Sequence, residues 1–201
     1  GAQRPYTVDD YLRLEDTGRA VIDPTGRRLV YEWVPPYDEL PDYGLGRLGT
    51  WSVKGGHLML VALAPLAAGP RLLFEPGAGT LYWIDGFSPD GRYLAYYAYH
   101  DGRVSMGVHD FQDNRRMSLD AAPRVDWYGP SSTWISPDVF VYAAVPEGDQ
   151  PAALSLRPHT AERLGQEWNK TWEGVEAAVN VVESRADGGG TRFLEGRLMR
   201  A

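Results

Sequence analysis

Leu81-Tyr82-Trp83-Ile84-Asp85-Gly86-Phe87-Ser88-Pro89-Asp90-Gly91-Arg92-Tyr93-Leu94-Ala95-Tyr96-Tyr97-Ala98-Tyr99 is the stretch whose reading decides the fold. Asp90-Gly91 is a strong tight-turn signal between two strands, because Gly supplies the positive φ that other residues resist. The strand after it is apolar or aromatic on both faces. Tyr93, Ala95, Tyr97 and Tyr99 share one face, and Leu94, Tyr96 and Ala98 share the other. A sheet with one wet face alternates apolar with polar residues, so this strand must be covered on both sides. In an all-β chain, sheets stacked face to face provide that cover, as blades do.

Downstream, Asp101-Gly102 turns the chain into Arg103 to Asp110, and Asp113-Asn114 turns it into Arg115 to Leu119. Four strands at short, even spacing make an antiparallel meander, the unit of a propeller blade. The pattern returns, degraded, at Ser132 to Ala144, where Ser136-Pro137-Asp138 keeps the opening without the Gly. Upstream, Asp23-Pro24-Thr25-Gly26-Arg27-Arg28-Leu29-Val30-Tyr31 is a looser copy. Pro89 and Pro137 are separated by about one blade of roughly 40–50 residues, and Pro24 and Pro89 by a blade lengthened with an insertion. That insertion, from Val34 to Gly46, carries Pro35, Pro36, Pro41, Tyr37 and Tyr43, and reads as an irregular loop.

At the N-terminus, Thr7 with Asp10 three residues on forms a capping box for a short helix, with Tyr11, Leu12 and Leu14 on its apolar side and Gly18 at its end. Leu164, Trp168 and Trp172 recur every four residues behind Thr160, which predicts a second helix laid on the sheets. Ala177 to Val182 reads as a strand, and Arg192 to Met199 as the start of another. The expected fold is therefore all-β: a partial β-propeller of about three to four blades, each an antiparallel four-stranded meander. Residues 1–18 form an N-terminal helical segment, 19–201 the incomplete propeller with blade boundaries near 79 and 125, and a helix lies near 160–172. An open ring leaves edges and faces uncovered, so a partner, an open stack or a longer protein is implied.

Composition agrees. Apolar residues are 43%, with 12 Tyr and 7 Trp against 5 Phe, and 23 Gly and 15 Pro supply many turns. The net charge of -7 argues against phosphate neutralisation, so nucleic acid is not an expected partner. There is no Cys, which removes disulfides, Cys-ligated zinc and thiol nucleophiles together. The longest apolar run, Leu58 to Leu66, is far short of a membrane span, so no membrane partner is expected.

Candidate chemistry is sparse. His57, His100, His109 and His159 fall on separate predicted strands and turns, without the short spacing of a metal site, and read as edge or turn histidines. Gly188-Gly189-Gly190 has no Lys-Ser/Thr after it, so no phosphate loop is read there. Gly129-Pro130-Ser131-Ser132-Thr133 lacks the second Gly of a nucleophile elbow and enters a strand. The carboxylates sit mostly at caps and turns. No catalytic residue, metal or cofactor is expected. The aromatic residues Tyr37, Tyr43, Trp51, Trp83, Trp127, Tyr128 and Trp134 either line a groove or pack between blades. Tyr37, Tyr43, Trp51 and Trp127 are taken as candidate peptide-binding residues, Tyr37 and Tyr43 first, because a Pro-rich loop cannot bury both rings in sheet core.

The segment Ser88-Pro89-Asp90-Gly91-Arg92-Tyr93-Leu94-Ala95-Tyr96 resembles the repeat of TolB-like and prolyl-oligopeptidase-family propellers. Thr7 to Asp16 followed by the first repeat, the Tyr31-Glu32-Trp33 strand with its Pro-rich sequel, and the Trp168 to Trp172 helix resemble the start of lasso-peptide isopeptidases. The resemblance implies a propeller preceding an α/β-hydrolase domain with a Ser-Asp-His triad, in which the propeller gates or grips the peptide. No position here matches the triad. It also implies a periplasmic or secreted location, which Gly1-Ala2-Gln3-Arg4-Pro5, read as a mature end after signal removal, would suit. The expected partners are a peptide or protein ligand and either a C-terminal hydrolase domain or a second copy. A stand-alone domain binding protein, peptide or glycan is the rival reading, and an enzyme with a non-standard site the third.

Overall fold

The turn at Asp90-Gly91 forms as its residues dictate. Gly91 adopts φ 75°, Ser88 donates from its hydroxyl to Asp90, and Asp90 accepts the Arg92 backbone N–H at 3.1 Å. It joins β5 (Thr80–Phe87) to β6 (Tyr93–His100). Two further antiparallel strands, β7 (Arg103–Asp110) and β8 (Arg115–Ser118), complete a four-stranded meander in the order β5-β6-β7-β8. The computed structural model describes residues 4–41, 43, 56–63, 69–75, 79–125, 131–149, 151, 163–166, 168–170, 172–173 and 197–200.

Before this sheet lies another of the same design: β1 (Asp16–Ile22), β2 (Arg28–Val34), β3 (His57–Ala62) and β4 (Arg71–Leu72), hydrogen-bonded in chain order. After it, β9 (Ser132–Ser136), β10 (Val139–Ala144) and β11 (Arg197–Arg200) form a sheet ordered β11-β10-β9. The last strand thus pairs within the chain, on β10. This sheet has three strands among the described residues rather than four. The strand read at Ala177 to Val182 and the cap at Thr160 lie outside the described residues.

The sheets stack face to face as propeller blades, and the stack is open. Val30, Leu58 and Leu60 of the first blade pack with Tyr82, Ile84, Leu94 and Tyr96 of the second, around Phe74. Ala95, Met106 and Val108 of the second pack with Phe140, Tyr142 and Ala144 of the third. The two faces of β6 divide as strand alternation requires: Leu94 and Tyr96 go to the first interface, Ala95, Tyr93 and Tyr97 to the second. Each fully buried Leu or Phe in these interfaces stabilises by about 1.5–3 kcal/mol, so sequestering both faces of β6 holds three sheets together.

The N-terminal helix α1 (Val8–Leu12) carries the capping box of Thr7 and Asp10. It ends at Leu12, not at Gly18. Gly18 instead sits at a bulge of β1, where a Cβ would overlap the Glu32 carboxylate. Residues 163–166, 168–170 and 172 are helical. Their apolar ridge is not laid on the sheets: Leu164, Trp168 and Trp172 are 55%, 77% and 93% exposed. Periodicity sets which side of a helix is apolar, but not whether anything covers it.

Candidate functional site

Buried polar groups brace the turns within the blades and join neighbouring blades. At the turns, Asp23 is buried and accepts from the backbone N–H of Arg27 at 2.8 Å and from Arg28 Nε at 2.7 Å. Burial pushes its carboxyl up, but these donors together hold it below its ordinary value. Arg92 of the second blade pairs with buried Asp110 at 2.8 Å, and holds that carboxyl at about 2 with help from the Gln112 and Asp113 N–H groups. Between the blades, Glu32 of β2 accepts the N–H of Arg19 on β1 at 2.8 Å and, from β5 of the next blade, the N–H of Ile84 at 2.7 Å. Burial raises its pKa against these bonds. At the following interface Ser132 of β9 donates to Asp85 of β5, and the Tyr97 hydroxyl lies 3.4 Å from Ser132. Burial raises Asp85 as well.

A Ser hydroxyl donating to a carboxylate, with no imidazole between them, has no base matched to its own high pKa. Ser131 donates to the Arg124 carbonyl, and Ser132 opens β9, as the elbow-like string suggested it would. His109 differs from the edge or turn histidine expected: it is buried on β7, 4.6 Å from the Phe111 ring and 5.5 Å from Phe74. Burial lowers its pKa to about 4, so it is a neutral core group. Among the described residues no three His, Asp or Glu side chains gather as a metal site.

The two ends of the stack differ. At one end are the Asp23 and Asp90 turns, joining the first strand of a blade to its second. At the other end the second strand passes to the third. In the middle blade this connection is Asp101-Gly102 alone, with φ 47° and 77°. In the first blade it is residues 35–56, and in the third it is residues 145–196. Both insertions therefore leave from one end, the end opposite the Asp23 and Asp90 turns. Long connections are where binding residues concentrate on a rigid scaffold.

The first insertion holds Tyr37 and Tyr43. Tyr37 begins a 3-10 turn, Tyr37–Glu39, and is half-buried. Tyr43 is buried and packs with Leu81 and Tyr99 of the second blade, with Trp83 beside them. Its hydroxyl is buried without a hydrogen-bond partner, and burial raises its pKa. Tyr43 thus anchors the loop to the sheet end, while Tyr37 keeps an open side. Trp51 and Trp127 lie outside the described residues. Two other aromatic candidates belong to packing: Trp83 meets Tyr99 edge-on at 6.4 Å, and Trp134 stacks on Tyr93 at 5.9 Å. The second insertion holds Leu164, Trp168 and Trp172, the exposed ridge of the helix expected to lie on the sheets. Its signal was the four-residue spacing; the exposure was not legible.

No family model matches the chain, and no curated protein matches it. Solved structures do. The chain is similar to a prolyl endopeptidase at 21% identity over 68% of this chain and 18% of the other, TM-score 0.44. TolB from Acinetobacter baumannii matches at 12% identity over 68% of this chain and 28% of its own, TM-score 0.39. AtxE2 isopeptidase matches at 16% identity over 98% of this chain and 30% of its own, TM-score 0.45. The chain thus spans 18% to 30% of the length of these structures. The blade architecture rests on the sheets and their packing described above.

Proposed function

We propose that this chain is the non-catalytic propeller portion of a secreted or periplasmic prolyl-oligopeptidase-like peptidase, and that it recognises or gates a peptide substrate. The observation that carries this reading is the pair of insertions at one end of the stack, one presenting Trp168 and Trp172 at 77% and 93% exposure. Exposed aromatic side chains on one helical ridge are the type of anchor that dominates peptide contacts, because each ring offers large apolar area at little conformational cost. The Ser88-Pro89-Asp90-Gly91 repeat supplies the link to the peptidase family.

The test is a fluorescence titration of the 201-residue chain with a threaded lasso peptide and with its linear form. Saturable change in Trp emission that is lost in the Trp168→Ala/Trp172→Ala double variant supports the reading. An identical binding curve for the double variant removes the ridge from recognition. Fluorophosphonate labelling or peptide turnover by this chain would overturn its non-catalytic role. The rival is a stand-alone binding domain for protein, peptide or glycan. A stop codon directly after Ala201 favours that rival; an open frame encoding Gly-x-Ser-x-Gly favours the peptidase.

A further inference from the structure

The interface between the first two blades ends, at its outer edge, on two arginines. Antiparallel partners across a sheet point to the same face, so a row of side chains can be followed from strand to strand. In the first blade one row runs Val21, Val30, Leu60, Arg71 from β1 to β4, and Val30 and Leu60 mark it as the face turned to the second blade. In the second blade a row runs Leu94, His109, Arg116 from β6 to β8, and Leu94 marks it as the face turned back. Arg71 and Arg116 are therefore exposed on facing sides of the outermost strands. Arg116 reaches across the interface: its guanidinium lies 5.0 Å from the ring of Phe74, just past β4. Buried His109 lies behind, 5.5 Å from the same ring, with its Nδ1 lacking a hydrogen-bond partner.

The acids of this region are committed elsewhere. Asp23 is held by Arg28, Asp90 by Ser88 and the Arg92 N–H, and Asp110 by Arg92, with Asp113 3.8 Å from that same guanidinium. Neither Arg71 nor Arg116 forms an ion pair among the described residues. Residues 61–70 and 76–79 contain no acid, and Glu75 is exposed. Two cations thus face each other without a counter-charge in a chain of net charge -7, and like charges so placed repel unless an anion lies between them.

We propose that the outer edge of this interface binds a small dianion of the phosphate or sulfate type, clamped between the Arg71 and Arg116 guanidiniums. Two uncompensated cations match two negative charges, whereas Arg28 is already balanced by Asp23. The planar guanidinium fork suits tetrahedral oxyanions, each presenting two donors to two oxygens. Arg71 opens β4 and Arg116 follows the Asp113-Asn114 turn, so the site lies toward the end opposite the insertions. It does not depend on what the insertions bind.

The test is a titration of the 201-residue chain with sodium sulfate at constant ionic strength, balanced with sodium chloride and followed by NMR of the His109 and Phe74 ring signals. A saturable shift of both signals is expected. Arg71→Gln and Arg116→Gln should each raise the half-saturating concentration at least about tenfold, the loss of one charge-assisted contact. The double variant should show no saturation. No saturable shift in the unmodified chain, or an unchanged half-saturation in the double variant, overturns the proposal. Sulfate stabilises proteins generally, so thermal unfolding is read as the difference between the unmodified chain and the double variant, and an equal rise in both also overturns it. In chloride alone, Arg71→Gln should unfold at the same urea midpoint or a higher one, because it relieves repulsion. A lower midpoint there counts against the uncompensated charge. Glycerol 1-phosphate as a second probe separates the sources: saturation like that of inorganic phosphate supports a site open to phosphate monoesters, and saturation by inorganic phosphate alone supports one for the free ion.

Discussion

Arg28 in the first blade donates from Nη2 to the carbonyl of Gly91 in the second blade's turn, at 2.9 Å. The same guanidinium pairs through Nε with buried Asp23 at 2.7 Å and lies 4.3 Å above the Phe111 ring. One side chain therefore joins its own turn, the neighbouring turn and the end of the neighbouring blade's third strand. Arg suits this position because its planar fork offers several donors while its flat face stacks on a ring.

Replacing Arg28 by Met would leave the Asp23 carboxylate buried without its cation. Loss of one partner from a buried pair costs about 3–5 kcal/mol, and the backbone donors that remain to Asp23 place this case toward the lower figure. The expected outcome is a lowered urea midpoint. A midpoint within error of the unmodified chain would show that the Gly91 and Asp23 contacts do not hold the blades.

Gly26 and Gly91 occupy equivalent turn positions at φ 70° and 75°, but only Gly91 touches another blade. A Cβ there would lie 3.3 Å from Pro24 Cδ and 3.4 Å from Asp23 Cβ, whereas at Gly26 it would meet nothing within 4 Å. Gly26→Ala should cost about 1–2 kcal/mol, the left-handed backbone penalty alone. Gly91→Ala should cost more, because the neighbouring turn must also shift. Thermal unfolding of the two variants reads the difference, and equal losses would remove the inter-blade contact from the explanation.

His109 makes stability depend on pH in a defined direction. Burial depresses its pKa from 6.5 to about 4, so the unfolded chain binds its proton more readily than the folded chain does. Its contribution is complete above pH 6.5 and is lost as pH falls from there toward about 4. His109→Leu should flatten that part of the stability curve. Denaturation midpoints measured across this window check it; an unchanged slope would place the titration elsewhere.

Much of the architecture was legible because it is local. Asp-Gly and Asp-Pro turns encode their own φ, Thr7 and Asp10 lie within one helical turn, and a strand apolar on both faces needs two neighbours. The interfaces were less legible. Glu32 accepts N–H groups from Arg19 and Ile84, and the latter lies in another blade, a contact that nothing local in the strand announces. His109 reads as an edge or turn histidine; alternation instead sends His109 and Asp110 to different surroundings, one among rings and one to Arg92. Tyr43 looked too irregular in its setting to be buried, but the end of the second blade offers it Leu81 and Tyr99.

From sequence alone came the all-β class, the repeated turn, the stacking of sheets on both sides of β6 and the resemblance to peptidase propellers. These follow from residue periods of two and from turn chemistry, which act over a few residues. Tertiary structure decided that the long connections leave from one end and that the Trp168 and Trp172 ridge faces outward. Those properties depend on which distant surfaces meet, and periodicity names an apolar face without naming what covers it.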